Sequence, residues 1–338
     1  MSGMTTFHRL LTGSHAHSGG KVEAATGHAR IPDGRVDYLS AMFKPKKTTC
    51  AQLEVTDVPG LISGGDFLGA VRDCDALANI VRGFGDGGAR EGGGALNDAL
   101  SIDAELLLAD MQLVETRLSR IGGGSKRKAE NPLEEKALER CLELLNDRVP
   151  LAPDALSEEY RDALSHVSFV SGKPRLIVVN LDEDSFRSGE WDGRDEIAAH
   201  CSERGFERME VCASVEEEIG LLPEEDRGAF YEELGVAESG VGRIAKSLYR
   251  LLGLASFLTA GEDEVKAWTI RAGLSAKKAA GKIHTDIERG FIRAEVVAFD
   301  RLREAGSMAA ARERGHFRLE GKEYPVRDGD IIHFRFNV

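Results

Sequence analysis

The chain has 338 residues, 42% of them hydrophobic and 30% charged, with only 9 prolines. This is enough chain for two or three domains with a sizeable core, and it excludes a disordered or fibrous protein. The net charge of −13 argues against wholesale nucleic-acid binding, and no apolar run of about 18 residues is present to cross a bilayer.

Cys50, Cys74, Cys141, Cys201 and Cys212 lie far apart with no C-x-x-C pair, the pattern of reduced thiols rather than of a disulfide framework or zinc site. No basic patch leads into an apolar core at the N-terminus, so a cytoplasmic protein is expected. Charge is uneven along the chain. Residues 261–338 carry 15 Lys and Arg against 13 Asp and Glu, which places any RNA contact at this end unless the arginines only decorate the surface.

In chain order, the opening GMTTFHRLLTG sets Gly3-Met4-Thr5-Thr6 in the form of the last letters of a phosphate-binding loop, with methionine in the lysine position. His15-Ala16-His17 has the look of a metal pair but lacks a third ligand at metal spacing, and reads as a polar loop. AQLEVTDVPGLISG predicts a buried strand, with Leu53 and Val55 alternating before Asp57, Pro59 and Gly60 break it. A second apolar run spans Ala76–Phe84.

Leu107, Met111, Val114, Leu118 and Ile121 then repeat at helical spacing, as do Leu138, Leu142, Leu145 and Val149 after GGGSKRKAENP. The two seams predict an antiparallel helical hairpin, with two ordinary surface helices as the alternative. PRLIVVNLDED at Pro174–Asp184 predicts a strand covered on both faces. MEV predicts another strand, followed by CASVEEE at Cys212–Glu218. Strands alternating with helices predict a parallel sheet of the α/β class. Towards the end, KAWTIRAG predicts a strand, SAKKAAGKIHTDIERGF a short helix plus loop, IRAEVVAFD a strand and SMAAARERG a helix. KEYPVRDGDIIHFRFNV predicts two strands around an Asp328-Gly329 turn. Together these suggest a compact β-grasp-like module.

Asp57 and Gly60 form a D-x-x-G at a strand exit. There the carboxylate can reach magnesium through water and the glycine amide can approach a terminal phosphate. Asn180 and Glu183 form N-x-x-E at the end of the third strand, where they can meet a purine edge and brace the loop. The backbone around Ala213, Ser214 and Val215 could close over a base.

With these residues in place, the sequence resembles the YchF or Obg-like ATPases, a branch of the P-loop GTPases. AWTIRAG, AAGKIHTDIERGFIRAEVVAFD and GKEYPVRDGDIIHFRFNV resemble that family's terminal TGS domain, and FKPKKTTCAQLEVTDVPGL its approach to the D-x-x-G motif. The resemblance implies a parallel-sheet G domain at 1–97 and 166–255, a coiled-coil insertion at 98–165, and a ubiquitin-like TGS domain at 256–338. Its first strand does not appear ahead of Gly3.

The resemblance also implies ATP or GTP bound with Mg²⁺. Gly3, Thr5, Thr6, Asp57, Gly60, Asn180, Glu183, Ala213, Ser214 and Val215 would form the site, with Thr5 and Asp57 holding the metal. The ribosome (its large subunit or the whole particle) or RNA would be the partner, met through the TGS domain and the arm, with a role in translation or the stress response. Neither membrane nor DNA is implied. Leu61 stands where Ras-like proteins carry a catalytic glutamine, so no catalytic residue is assigned.

The chain departs from the family pattern on this face. Met4 replaces the lysine, the glycine-rich segment after Leu61 is short, and Lys21 stands where a threonine is usual. The loop GDGGAREGGGAL offers Arg90 and no histidine. His284 and His333 belong to the TGS resemblance as structural or surface groups. Two functions remain open: a nucleotide hydrolase, or a non-hydrolysing adaptor that binds ribosome or RNA through its arm and C-terminal domain.

Overall fold

A computed structural model describes residues 2–13, 25–58, 66–85, 94–122, 132–236 and 238–337. The chain opens with α1 (Met4–Thr12), β1 (Ala25–Arg30), α2 (Gly34–Phe43), β2 (Lys47–Thr49), β3 (Gln52–Asp57), α3 (Asp66–Asp73) and β4 (Leu77–Arg82). Next come the long α4 (Ala95–Gly122), α5 (Pro132–Asn146), α6 (Glu158–Ala163), β5 (Arg175–Asn180), α7 (Glu183–Ser188), α8 (Arg194–Arg204), β6 (Glu207–Val211), α9 (Ala213–Gly220), α10 (Glu224–Glu233) and α11 (Gly240–Leu251). The C-terminal part holds β7 (Leu254–Ala260), β8 (Glu264–Arg271), α12 (Ala276–Ile283), α13 (Thr285–Arg289), β9 (Phe291–Ala298), α14 (Phe299–Ala305), α15 (Met308–Glu313), β10 (Arg318–Glu320) and β11 (Asp330–Phe336).

The chain divides into two compact units. One comprises Met1–Leu10, Ser14–Gly27 and Thr56–Val241; the other comprises Leu11–Gly13, His28–Val55 and Gly242–Val338. The core of the first unit is the parallel sheet β4-β5-β6, with β5 in the middle and all six of its residues buried. That burial is why Leu176–Val179 is apolar without alternation. Ile177 and Val179 pack with Val81, with Ala95 and Ala99 of α4, and with Ile197 of α8. β1 and β3 form a separate two-stranded sheet.

α4 and α5 pair along the predicted seam. Val114, Leu138, Cys141 and Leu145 are buried, and Leu107, Met111, Leu118 and Ile121 pack against them. Val149 is a correction to the predicted seam, being 38% exposed. Arg148 adopts φ 57, and the Val149 amide donates to the Leu144 carbonyl at 2.8 Å. That left-handed stop ends α5 before Val149 can join the stripe. The root of the hairpin is pinned by Asp110, which is fully buried and accepts from the Val170 amide at 2.9 Å and the Ser171 amide at 2.8 Å.

In the second unit the strand order is β10-β9-β11-β7-β8-β2, with β11 and β7 parallel at the centre. The first five strands follow the order of a β-grasp, and α12 packs Ala276, Ala279 and Ala280 against Phe257, Ile270 and Val296. β2 extends this sheet in parallel with β8, Lys47 lying opposite Glu264. α2 joins the same unit through Arg35, whose guanidinium reaches Asp328 at 2.6 Å.

Two expectations are corrected here. The Asp328-Gly329 turn precedes a single strand, β11. Its expected partner contains Pro325, which has no N–H to give a ladder and makes only an isolated bridge to Ser275. The edge strand is instead the short β10, antiparallel to β9. The predicted helix plus loop is two helices, α12 and α13, because the His284 imidazole accepts from the Asp286 amide at 3.2 Å and restarts the helix.

Candidate functional site

Register places Arg82, Asn180 and Val211 abreast at the carboxyl ends of β4, β5 and β6. Crevices beyond such strand ends are where open α/β sheets take ligands. Three connecting segments leave from this line, and Asn180 ties them together. The Gly83 amide donates to the Asn180 carbonyl at 2.8 Å. Its side-chain Oδ1 accepts from the Ala213 amide at 3.0 Å, and its Nδ2 donates to the Ser2 carbonyl at 3.0 Å. Asn180 is 5% exposed, so both ends of the amide are satisfied out of water, as a buried polar group requires.

Gly3 sits directly against this amide. Its φ is +86, and a Cβ there would lie 2.5 Å from Asn180 Nδ2. Glycine is needed twice over, for the backbone and for the close approach. The Gly3 carbonyl accepts from the Phe7 amide at 3.0 Å in the first turn of α1. Phe7 is buried at 1% exposure, and Arg9 pairs with Glu217 of α9. So α1 is held by its own core residue and by the helix that follows β6, with Thr5 exposed and Thr6 half-buried at its amino end.

Among the sequence-predicted residues, Gly3, Asn180 and Ala213 are therefore brought together. Ser214 is exposed, with its Oγ 3.2 Å from Cys212 Sγ. Val215 is buried with Cys212 and Ile219 and serves as the anchor of α9. Glu183 opens α7 behind the Asp182 cap and pairs with Arg187 at 2.8 Å, away from the Asn180 brace. Asp57 ends β3 at 8% exposure, and its Oδ1 has no hydrogen-bond partner. An orphaned carboxylate oxygen at a strand exit suits a hard cation. No bond links Asp57 to Thr5. Gly60, Leu61, the His15–His17 pair, Lys21 and Arg90 fall outside the described residues. Among the described residues no group of three His, Cys, Asp or Glu side chains could hold a metal ion, and no helix is long and apolar enough to cross a membrane.

Two supports of the site were not legible in the sequence. Glu216, in the acidic run after Ser214, is only 6% exposed. It accepts from the Gly240 amide at 2.7 Å, the Ser239 hydroxyl at 2.7 Å and the Tyr231 hydroxyl at 3.0 Å. Burial, with the Glu216 charge beside it, pushes the Tyr231 phenol up to about 12. Arg82 grips Asp98 of α4 through its backbone amide and through Nε and Nη2 along one edge of its guanidinium, at 2.7–3.1 Å. Asp98, by hydrogen bond and charge, raises the Arg82 pKa above its usual value. No local spacing announces either partner, because both lie across a chain turn.

A parallel sheet with an asparagine brace at its carboxyl edge, α1 aimed into that corner, and a helical hairpin leaving through α4 defines an α/β protein of the P-loop kind. Residues 254–337 match the family model YchF-GTPase_C, described as a protein of unknown function (DUF933). The chain is 38% identical to the Ribosome-binding ATPase YchF of Bacillus subtilis, over 99% of this chain and 96% of that one. It is 32% identical to the Obg-like ATPase 1 of Caenorhabditis elegans, over 99% of this chain and 90% of that one. The YchF GTPase of Schizosaccharomyces pombe superposes with a TM-score of 0.83 at 29% identity, covering 98% of this chain and 94% of that one. The chain belongs to the YchF family.

Proposed function

We propose that this chain binds a purine nucleotide with Mg²⁺ at the carboxyl edge of β4-β5-β6 and works in association with the ribosome. The observation that carries the nucleotide reading is the Asn180 brace, which still ties Ser2, Gly83 and Ala213 into one corner. Asn180 and Glu183 would choose the base, the backbone of Ala213–Val215 would close over it, and Thr5 and Asp57 would hold the metal. Bound Mg²⁺ would offset phosphate charge. The orphaned Asp57 oxygen supports that assignment. The ribosome enters from the name of the Bacillus subtilis relative, and the arm and C-terminal TGS domain are the proposed contacts. The relatives' names include both ATPase and GTPase, so ATP and GTP are both candidates.

A second reading is favoured by Met4, which brings no charge to the phosphates. With a thioether in that position and Leu61 in the place of a water-orienting glutamine, the chain would be a non-hydrolysing adaptor for ribosome or RNA. Titration of the whole chain with fluorescent ATP and GTP in Mg²⁺, beside Met4→Lys, separates the two. Micromolar binding by the unsubstituted chain supports the nucleotide reading. Binding by the Met4→Lys chain alone supports an adaptor built on a weakened site. Binding by neither removes the nucleotide reading.

A further inference from the structure

α3 has only 8 residues, Asp66–Asp73, and so short a helix has little stability of its own. Its place is set by what holds it. One hold is apolar. Val71 is buried in a cluster with Leu106 and Ala109 of α4 and with Val170, and Val58 packs against the same cluster. Val58 directly follows Asp57, the residue at the end of β3 whose carboxylate oxygen is orphaned.

The other hold is Lys173. Its ammonium donates to the carbonyls of Val71 at 2.8 Å and Arg72 at 2.6 Å, and to that of Cys74. Three acceptors match the three N–H bonds of an ammonium, and the helix dipole favours a cation at this end. The nearby carboxylates of Asp73, Asp75 and Asp110 oppose the lowering of its pKa by burial. The backbone that carries Lys173 is itself fixed. Asp110 of α4 accepts from the Val170 and Ser171 amides, and the Leu77 amide donates to the Pro174 carbonyl at 3.0 Å, where β4 and β5 begin. A tethered stretch, 170–174, thus grips the end of α3, and α3 shares its core with the residue after Asp57.

We propose that Lys173 is a positioning residue for Mg²⁺: by gripping the end of α3 it fixes the residues that leave β3, Asp57 and Val58. The proposal rests on the reading that nucleotide and Mg²⁺ bind at this corner. Magnesium demands near-ideal ligand geometry, so a loosened Asp57 holds it less well.

The test uses the full chain, with fluorescent ATP and GTP titrated at a series of Mg²⁺ concentrations and in EDTA. Lys173→Met should raise the Mg²⁺ concentration for half-maximal nucleotide binding by about tenfold and leave affinity in EDTA unchanged. Loss of a cation would by charge alone favour Mg²⁺, so a rise reports geometry. Leu145→Ala, in the hairpin seam, should lower the melting temperature without moving that concentration. In the unsubstituted chain, Mg²⁺ added to the nucleotide complex should slow amide exchange across residues 68–74, because coupling between α3 and the metal is reciprocal. This last measurement stands whether or not the variants fold. Absence of any Mg²⁺-dependent nucleotide binding by the unsubstituted chain removes the nucleotide reading, and this inference with it. Where such binding is present, three results overturn the inference alone: a half-saturating concentration unchanged by Lys173→Met, one shifted equally by Leu145→Ala, or unchanged exchange at 68–74.

Discussion

At the scale of single residues, Asn180 carries the most structure for its size. Replacing it with alanine strips partners from the Ala213 amide and the Ser2 carbonyl. Unsatisfied buried groups cost roughly 1–3 kcal/mol each. Asn180→Ala is therefore expected to lower the unfolding free energy by about 2–4 kcal/mol in urea titration; an unchanged midpoint would mean that the brace bears no load. Asn180→Asp keeps the acceptor for Ala213 but has no donor for Ser2, and should fall between the two. Glu295 gives a pH-dependent counterpart. The Arg312 hydrogen bond, helped by the charges of Arg312, Arg335 and His333, holds its carboxyl below the usual value of 4.5. The folded value is depressed, so the stabilisation is complete above the unfolded value and is lost as pH falls through the folded one. Thermal melts should show Glu295→Gln below the unsubstituted chain at pH 7, with the gap narrowing as the pH falls below 4.5. A gap that stays constant as the pH falls would assign the loss to packing.

At the scale of elements, the α4–α5 hairpin and the segment before β5 make contrasting predictions. Leu145 is 2% exposed within the seam and Leu108 is 51% exposed outside it. Leu145→Ala should cost about 2–5 kcal/mol, and Leu108→Ala less than about 0.5 kcal/mol, by chemical denaturation. Equal costs would mean that the seam lies on another face of α4. Gly172 tests the segment that leads into β5. A Cβ there would come within 2.2 Å of the Leu151 carbonyl oxygen and 2.3 Å of the Ala152 amide nitrogen. Both are backbone atoms that no rotamer change can move, so Gly172→Ala must displace one strand of chain. Its fold should be lost or strongly destabilised, read as a drop in melting temperature larger than that of Gly228→Ala, where a Cβ meets nothing within 4 Å.

At the scale of the whole molecule, none of the five cysteines is in a disulfide, and four of them are buried with Cys74 intermediate. Burial pushes the Cys141 thiol up to about 11 and raises that of Cys201 as well, and the reactive species is the thiolate. Maleimide should therefore label Cys74 first in the native protein and the other four only on unfolding, and dithiothreitol should leave the melting temperature unchanged. A shift with reductant would reveal a bond between chains. Strand pairing within the second unit also explains what sequence patterns missed. β7 lies at the centre of the C-terminal sheet, yet LASFLTA follows directly on the apolar end of α11. A short apolar run in that position has no period of its own to separate strand from helix. β2 has three residues, and its KTT sequence carries no core pattern; only its pairing with β8 makes it a strand.

The sequence by itself determined the elements whose burial is periodic or continuous. These are the six-residue run of β5, the spacing of the α4–α5 seam, the alternation along β8 and the continuous buried run of β9. In each, local side-chain pattern and final environment agree. It also placed Asn180 at a strand exit, since Leu176–Val179 ends there. What only the tertiary structure decided are the relations between residues far apart in the chain. The Asn180 amide is occupied by Ser2 and Ala213, Glu216 is buried among Tyr231, Ser239 and the Gly240 amide and not solvated, and Val149 falls outside the seam after a left-handed turn. Hydrogen-bond partners across long separations leave no trace in local composition, because the energy that selects them exists only once packing has excluded water.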